Sequence, residues 1–412
     1  MSGKVFPIKT ETACRLKWSW STLYLTDGTT SSCHRASHAQ LTTDNFSNFH
    51  NLPNKIVDRQ SMLNGKWPGN GCEYCRDIEK AGGFSDRQFQ LTVPNVYPSE
   101  LDIDQTITAV SPTVLEVFFQ NTCNLKCVYC TEKYSSSIEK ENLEYGKIDI
   151  GNRSILVENR YSELNPLFWE WLEHNFTKLQ RLNILGGEPL LQSDFQKLID
   201  FIDMNPNPLL ELSVTTNLII KEKRFNDCTD KLHKLLLDKK VGRIDIMASV
   251  DSWGVAQEYV RNGFDSEIFE NNLIQLLKLP FRISLLSTVN ALNIMEFPQL
   301  FEKLKQWRLH KDVYWYMHTV VPVDSHILRP DIFDYSIWGG VLDKLHDELP
   351  DSTYDDKITK NLLSGIMAKL KTSIHDVESQ TKLKSYLTEL DKRRGTNWKQ
   401  TFSWLGTNDV AQ

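Results

Sequence analysis

Three thiols sit close together in NTCNLKCVYC (121–130), at Cys123, Cys127 and Cys130, in a chain of 412 residues with eight cysteines. Thiolates are soft ligands, and two kinds of centre use them. Zinc takes four ligands in a closed structural site, or three plus a water in a catalytic one. A cubane iron–sulfur cluster takes four cysteines, one per iron, so a set of three leaves one iron open to another ligand. These residues alone admit both centres, as well as buried thiols with no metal. A second stretch, GGEP at Gly186, Gly187, Glu188 and Pro189, has its own chemistry. Its glycines let the backbone come close to a ligand, Glu188 offers a carboxylate to an ammonium group, and Pro189 stiffens the turn. Alone, it could equally be a turn before a helix.

Seven cysteines fall in two groups; the second is Cys14, Cys33, Cys72 and Cys75, the last pair in GCEYC. A CxxC pair suits a zinc site with four cysteine ligands. Cys228 stands apart in KRFNDCTDK and reads as an incidental free thiol.

These groups need elements to hold them. Between residues 113 and 321, short apolar or alternating runs recur: TVLEVFF (113–119), RLNIL (181–185), LLELSVTTN (209–217), RIDIMASV (243–250), RISLLSTVN (282–290) and VYWYMHTVV (313–321). Helical periodicity fills most of the gaps. In SDFQKLIDFI (193–202), Phe195, Leu198, Ile199 and Ile202 share one face, and Ser193 with Gln196 reads as a capping box. EIFENNLIQLLK (267–278) and FPQLFEKLKQW (297–307) are similar. Six strands alternating with helices predict parallel pairing, in an open sheet or a full or partial barrel. The cysteine loop follows the first strand and GGEP the second. Both then lie at the C-terminal ends of neighbouring strands, where parallel α/β folds place ligands.

Residues 1–105 are irregular and rich in Ser, Thr, Asn and Gly. Trp18, Trp20 and Trp67 are expected anchors, and STLYLT (21–26) is an expected strand. With so little apolar periodicity, such a segment calls for a metal staple. Residues 326–412 read as amphipathic helices. The helix in KLKSYLTELDKRR ends in Lys392, Arg393 and Arg394, which suit its C-terminus and read as a solvated end, with Gly395 as its cap.

Composition narrows the classes. Hydrophobic content is 40%, charged content 24% and net charge −6, so a broad basic face for nucleic acid is not indicated. The N-terminus lacks a secretory pattern, and no stretch reaches the roughly 18 apolar residues of a membrane span. A cytoplasmic protein is expected, in which clustered cysteines point to metal or catalysis rather than disulfides.

CNLKCVYC and GGEP, in that order, resemble the CxxxCxxC and glycine-rich motifs of the radical S-adenosylmethionine superfamily, over roughly residues 113–321. The resemblance implies a partial (β/α)6 TIM-like barrel with α/β architecture. It implies a [4Fe–4S] cluster on Cys123, Cys127 and Cys130, with S-adenosylmethionine on the fourth iron and Tyr129 beside it. Gly186, Gly187, Glu188 and Pro189 would hold the methionine amino group. Asn217, ending TTN, and Ser249, in SVD, would contact the cofactor, and Arg261, opening RNGFD, would meet its carboxylate. The activity implied is reductive cleavage to a 5′-deoxyadenosyl radical, with a flavodoxin- or ferredoxin-like electron donor.

The spacing around Cys14 and Cys33 resembles the SPASM and twitch domains of that superfamily, which carry auxiliary [4Fe–4S] clusters and usually follow the barrel. A twitch-like domain over 1–105, a barrel over 106–325 and a helical region over 326–412 are therefore expected. Cys14, Cys33, Cys72 and Cys75 are expected to hold one auxiliary cluster, with zinc as the alternative; His34 could replace one ligand. The implied substrate is a peptide or protein side chain, or else a small alcohol or sugar-like molecule. His318, Asp324 and His326, near the end of the sixth strand, could line the substrate side. A zinc-stapled binding module without redox chemistry is the competing class.

Overall fold

The computed structural model describes residues 12–69, 71–80, 82–88, 108–148, 158–319, 326–372 and 375–407. In chain order the strands are β1 (Trp20–Tyr24), β2 (Thr29–Ser31), β3 (Ala39–Gln40), β4 (Val114–Phe118), β5 (Lys126–Cys127), β6 (Arg181–Leu185), β7 (Asn207–Thr216), β8 (Val241–Ser249), β9 (Arg261–Asn262), β10 (Arg282–Val289) and β11 (Val313–Thr319). The main sheet has the order β11-β10-β8-β7-β6-β4-β1-β2-β3. Every neighbouring pair from β11 to β1 is parallel. β2 and β3 are antiparallel additions at one edge, and β5 with β9 forms a small separate ribbon.

The period of two in each strand sorts the side chains. Leu115, Leu182, Leu212 and Ile244 lie in register across β4, β6, β7 and β8. They are buried in the main core beneath the helices. Each contributes about 1.5–3 kcal/mol by leaving water. One residue on, Glu116, Asn183, Ser213 and Asp245 form a polar row on the opposite, inner face, and Arg282 of β10 continues it. A one-residue slip would exchange the two rows, so the register is strongly fixed.

All six predicted runs are strands, and the partial barrel is present with a seventh parallel strand. β1 pairs with β4 over Trp20–Val114 to Tyr24–Phe118. The sheet therefore crosses the boundary drawn at residue 105. All five residues of β1 are buried, and helices Pro53–Leu63 and Cys72–Lys80 lie in its connection to β4, within the segment expected to be irregular.

Two buried cations hold the irregular N-terminal segment against this sheet. Lys55 donates to Ser21 Oγ (3.1 Å), Thr30 Oγ1 (3.0 Å) and the Ser31 carbonyl (3.3 Å). Arg59 donates to the carbonyls of Lys17 (2.8 Å) and His50 (2.6 Å). Burial pushes the Lys55 ammonium well below the usual lysine range, and Arg59 beside it adds to this. Trp18 and Trp20 are buried as expected, with Met62 and Val114, and the Arg87 guanidinium lies over Trp67.

The helical expectations hold, with two corrections. Helix Ser193–Met204 has Gln192, not Ser193, at its N-cap and no side-chain cap. Ser193 is already helical, so the capping box does not form. Helix Val377–Arg394 ends on left-handed Gly395 as expected, but of its basic end only Lys392 is solvated. The Arg394 side chain is 3% exposed and grips Glu141 through two bonds of 3.0 and 2.7 Å. Glu141 lies on helix Ser136–Tyr145, which follows the cysteine loop. Cys228 is fully buried on helix Glu222–Leu237, despite its polar neighbours, and receives the Gln196 amide at 3.0 Å. Among the described residues no helix is long and apolar enough to cross a membrane.

Candidate active site

The cysteine loop leaves β4 and is fixed along its whole length. Ser137 Oγ donates to the Cys123 carbonyl (2.7 Å), and Ser135 Oγ to that of Leu125 (2.7 Å). Ser135 also caps helix Ser136–Tyr145 by accepting from Ile138 N. The loop's middle is held as the β5–β9 ribbon, in which Cys127 pairs with Arg261. From the C-terminal region, Tyr386 donates its hydroxyl to the Val128 carbonyl at 2.7 Å.

Cys123, Cys127 and Cys130 line one cavity of about 300 Å³, together with Tyr129, Gly186, Gly187, Asn217, Ser249 and Arg261. Residues at the ends of five parallel strands, β4, β6, β7, β8 and β10, thus converge with the loop. Phe118, Leu125, Tyr134, Leu185, Thr215, Thr216 and Thr288 complete the wall. Phe118 and Thr288 follow strand positions whose inner orientation is set by the period of two. Burial pushes the Cys123 thiol up to about 12, and Cys127 up as well, with Arg261 pulling it back. A bound metal would reverse this and displace the protons.

GGEP is placed as predicted, but its parts divide the work differently. At Gly186 φ is +84°, and a Cβ would lie 2.7 Å from the Phe118 ring. At Gly187 φ is +54°, and a Cβ would lie 2.3 Å from the Thr122 carbonyl oxygen. The glycines therefore let the turn press against the cysteine loop, an approach sealed by Glu188 N donating to that same carbonyl at 2.7 Å. Gln192, not foreseen, donates to the Gly186 carbonyl at 2.8 Å and fixes its direction.

Glu188 does not face the cavity. Its side chain is 0% exposed. Its carboxylate accepts from Leu190 N (3.1 Å), Thr216 Oγ1 (2.7 Å) and Asn217 N (2.6 Å). The expectation that it offers its charge to an ammonium is corrected: those donors consume its oxygens, and it ties GGEP to the end of β7. Burial pushes its pKa up to about 7 against these hydrogen bonds. Pro189 is likewise buried, opening a short 3-10 turn.

Asn217 donates to Asn124 Oδ1 (2.9 Å), joining the β7 end to the cysteine loop. Arg261 is anchored by Asp251, the last residue of SVD. Arg261 Nε and Nη2 donate to the two Asp251 oxygens at 2.8 and 3.2 Å. Asp251 also accepts from the Tyr129 hydroxyl (2.6 Å) and Thr288 N (2.8 Å). One fully buried carboxylate thus joins the loop, the β9 ribbon and β10. Arg261 Nη1 also lies 4.0 Å from Cys127 Sγ.

The second thiol group converges too. Cys14, Cys33, Cys72 and Cys75 line a single small pocket with Lys17, Arg35 and Arg87. Burial pushes Cys72 up to about 11 and Cys75 to about 12. All eight cysteines are free thiols. Among the described residues, no three His, Cys, Asp or Glu side chains converge in the manner of a single metal ion's ligands. His34 and Asp86 also line this pocket, with His34 Nε2 3.2 Å from Asp86 Oδ2. The His34 ring lies 6.0 Å from that of His318 on β11. The two edges of the sheet meet through these rings. His326 opens a short 3-10 turn at His326–Leu328, and Asp324 lies outside the described residues.

No family model matches the chain. A probable GTP 3′,8-cyclase of Methanococcus maripaludis is 30% identical over 101 residues, 24% of this chain and 27% of that one. A GTP 3′,8-cyclase of Psychromonas ingrahamii is 28% identical over 131 residues, covering 31% and 33%. A probable GTP 3′,8-cyclase of Methanococcus aeolicus is 25% identical over 217 residues, covering 48% and 63%. The chain therefore spans about a quarter of the length of the M. maripaludis relative it matches. Among solved structures, Streptococcus suis SuiB bound to the precursor peptide SuiA superposes with a TM-score of 0.39 at 12% identity, over 76% of this chain and 64% of SuiB.

Proposed function

We propose that this chain, a member of the radical S-adenosylmethionine superfamily, holds a [4Fe–4S] cluster on Cys123, Cys127 and Cys130. It would seat S-adenosylmethionine in the adjoining cavity and use it to abstract hydrogen from a neutral peptide or protein side chain. One observation carries the reading: the three thiols and the GGEP, TTN, SVD and RNG segments all reach the same cavity of about 300 Å³.

The residues fit the group. The donor set is soft and stops at three, which suits a cubane with one iron left for another ligand. When bound, the cluster supplies the electron that splits the sulfonium and yields a 5′-deoxyadenosyl radical, and that radical takes the hydrogen atom. The chain's own residues do the positioning. Gln192 holds the Gly186 carbonyl in a fixed direction at the cavity wall, as an acceptor for an ammonium. Arg261, held by Asp251, places a fixed positive charge for a carboxylate. Asn217 and Ser249 supply polar edges, and Phe118 and Tyr134 supply an apolar wall for a planar ring.

For the N-terminal thiols we favour an auxiliary [4Fe–4S] cluster over zinc. Tetrahedral zinc, with Zn–S near 2.3 Å, draws its sulfurs to about 3.8 Å from one another. A cubane holds them farther apart. The four thiols line one pocket, and the SPASM-like spacing of Cys14 and Cys33 is what favours the cluster. Lys17, Arg35 and Arg87 around the pocket are each paired with a carboxylate, Asp58, Asp86 and Glu79.

Charge also bears on the substrate. The named relatives act on GTP, whose triphosphate needs several uncompensated cations. Among the described residues, the one cation lining the cavity is Arg261, and it is paired with Asp251. That balance favours a neutral group, in keeping with the peptide or protein side chain implied by the SPASM-like cysteine pattern.

Anaerobically reconstituted protein with dithionite and S-adenosylmethionine is expected to form 5′-deoxyadenosine, and Cys127→Ala to abolish it. A colourless zinc protein, or product formation that survives Cys127→Ala, would refute the proposal.

A further inference from the structure

Helix Val377–Arg394, from the far end of the chain, grips the cysteine loop on both sides of Cys127. Tyr386 donates to the carbonyl of Val128, the residue just after Cys127, at 2.7 Å. Further along the same helix, Arg394 binds Glu141 through Nε (3.0 Å) and Nη2 (2.7 Å). Glu141 also accepts at 2.9 Å from Lys126, the residue just before Cys127. The helix thus reaches both chain neighbours of this cavity-lining thiol, and Cys127 is close enough to act on the Arg394 charge.

One donor of Arg394 is left over. The side chain is 3% exposed, and Nη1 is buried with no hydrogen-bond partner among the described residues. A guanidinium is a planar fork, so binding Glu141 through Nε and Nη2 turns Nη1 to the opposite side. The loop carbonyls nearby are already engaged. That of Cys127 accepts from Cys130 N (3.0 Å), that of Val128 from Tyr386, and that of Leu125 from Ser135 Oγ (2.7 Å). A buried cationic donor without an acceptor is costly. The acceptor that suits it is anionic sulfur, which the Cys127 thiolate and the sulfides of a cluster would offer.

Resting on the function proposed above, we propose that Arg394 Nη1 donates to sulfur on the Cys127 side of the barrel cluster, and that this contact raises the cluster's reduction potential. Reduction adds one negative charge, so a buried cation and an N–H···S bond favour the reduced form. Glu141 acts in the opposite sense: it fixes the guanidinium and tempers its charge. The C-terminal helix then has two tasks, holding the loop through Tyr386 and setting through Arg394 how readily the cluster takes an electron.

The test uses reconstituted full-length protein. The barrel cluster is the one whose electron paramagnetic resonance signal changes on adding S-adenosylmethionine, and potentiometric titration of that signal gives its midpoint. Arg394→Met is expected to make reduction about tenfold less favourable, the worth of one charge-assisted hydrogen bond, which lowers the midpoint by about 59 mV for one electron. Glu141→Gln keeps Arg394 but removes its counter-charge, and is expected to raise the midpoint. Both variants break the same ion pair, so a merely structural role would move the midpoint one way in both. An unchanged midpoint in Arg394→Met overturns the inference, as does a shift in the same direction in both variants. If Arg394→Met loses its iron, Glu141→Gln decides alone: a raised midpoint supports the inference, and an unchanged or lowered one overturns it. If the wild type holds no cluster whose signal answers to S-adenosylmethionine, the parent reading falls, and this inference with it.

Discussion

Asp251→Asn tests the geometry of the site without touching a proposed ligand. The wild-type carboxylate is fully buried and accepts four hydrogen bonds: two from Arg261, one from the Tyr129 hydroxyl and one from Thr288 N. Asparagine removes the charge and turns one acceptor into a donor, which must then face either the Tyr129 and Arg261 Nε donors or the Thr288 and Arg261 Nη2 donors. Arg261, itself buried, is left as a cation without a counter-charge. Breaking a buried pair in this way costs about 3–5 kcal/mol. Because Arg261 also pairs through its backbone with Cys127, the cysteine loop should loosen with it. Urea unfolding followed by tryptophan fluorescence would give the loss. Arg261→Met added to Asp251→Asn should recover about 2 kcal/mol or more, since an apolar replacement removes the stranded charge. A loss below about 1 kcal/mol for Asp251→Asn, the range of an exposed pair, would refute the reasoning. So would a double variant whose loss is the simple sum of the two single ones.

Gly187→Ala should weaken S-adenosylmethionine retention in equilibrium dialysis by tenfold or more, because its Cβ would meet the Thr122 carbonyl at 2.3 Å; unchanged retention would show that the close approach of turn and loop is dispensable. Cys72→Ala should lower bound iron from about eight to about four per chain while 5′-deoxyadenosine formation persists, and unchanged iron would remove the second cluster. Glu188, raised by burial to about 7 in the folded chain from an ordinary 4.5, favours the folded state fully below about pH 4.5 and loses that contribution as pH rises through 7. The stability of the wild type relative to Glu188→Gln should therefore fall by roughly 3 kcal/mol across that window; a difference that grows with pH would contradict the burial argument.

The chemistry was legible where one short stretch carried it. Cys123, Cys127 and Cys130 share a loop, and GGEP follows the next strand, so order and strand count sufficed to bring them together. Arg261, Asn217 and Ser249 were reachable because each marks the end of a strand or a ribbon. Glu188 was misjudged because its type suggested a ligand contact, whereas three donors from its own turn and from β7 had consumed it. Asp251 carries no local signal, because a carboxylate two residues past Ser249 gives no sign of three partner residues spread over three elements. β1 was read as a strand, but its place beside β4 depends on pairing across a long connection that no local pattern encodes. The meeting of His34 with His318 depends on how the two sheet edges curve together, a property of the whole sheet. Arg394 looked solvated because a basic helix end usually is; Glu141, far away in the chain, is what buries it.

The account's central claim is that the barrel cluster keeps one iron for the cofactor. Electron–nuclear double resonance on the reduced protein, with S-adenosylmethionine carrying ¹⁵N in its amino group, reads that contact directly. A ¹⁵N coupling that appears on adding the labelled cofactor, and that is absent in Cys127→Ala, is predicted. A reduced cluster that shows no such coupling, with the cofactor bound at saturation, would contradict the claim.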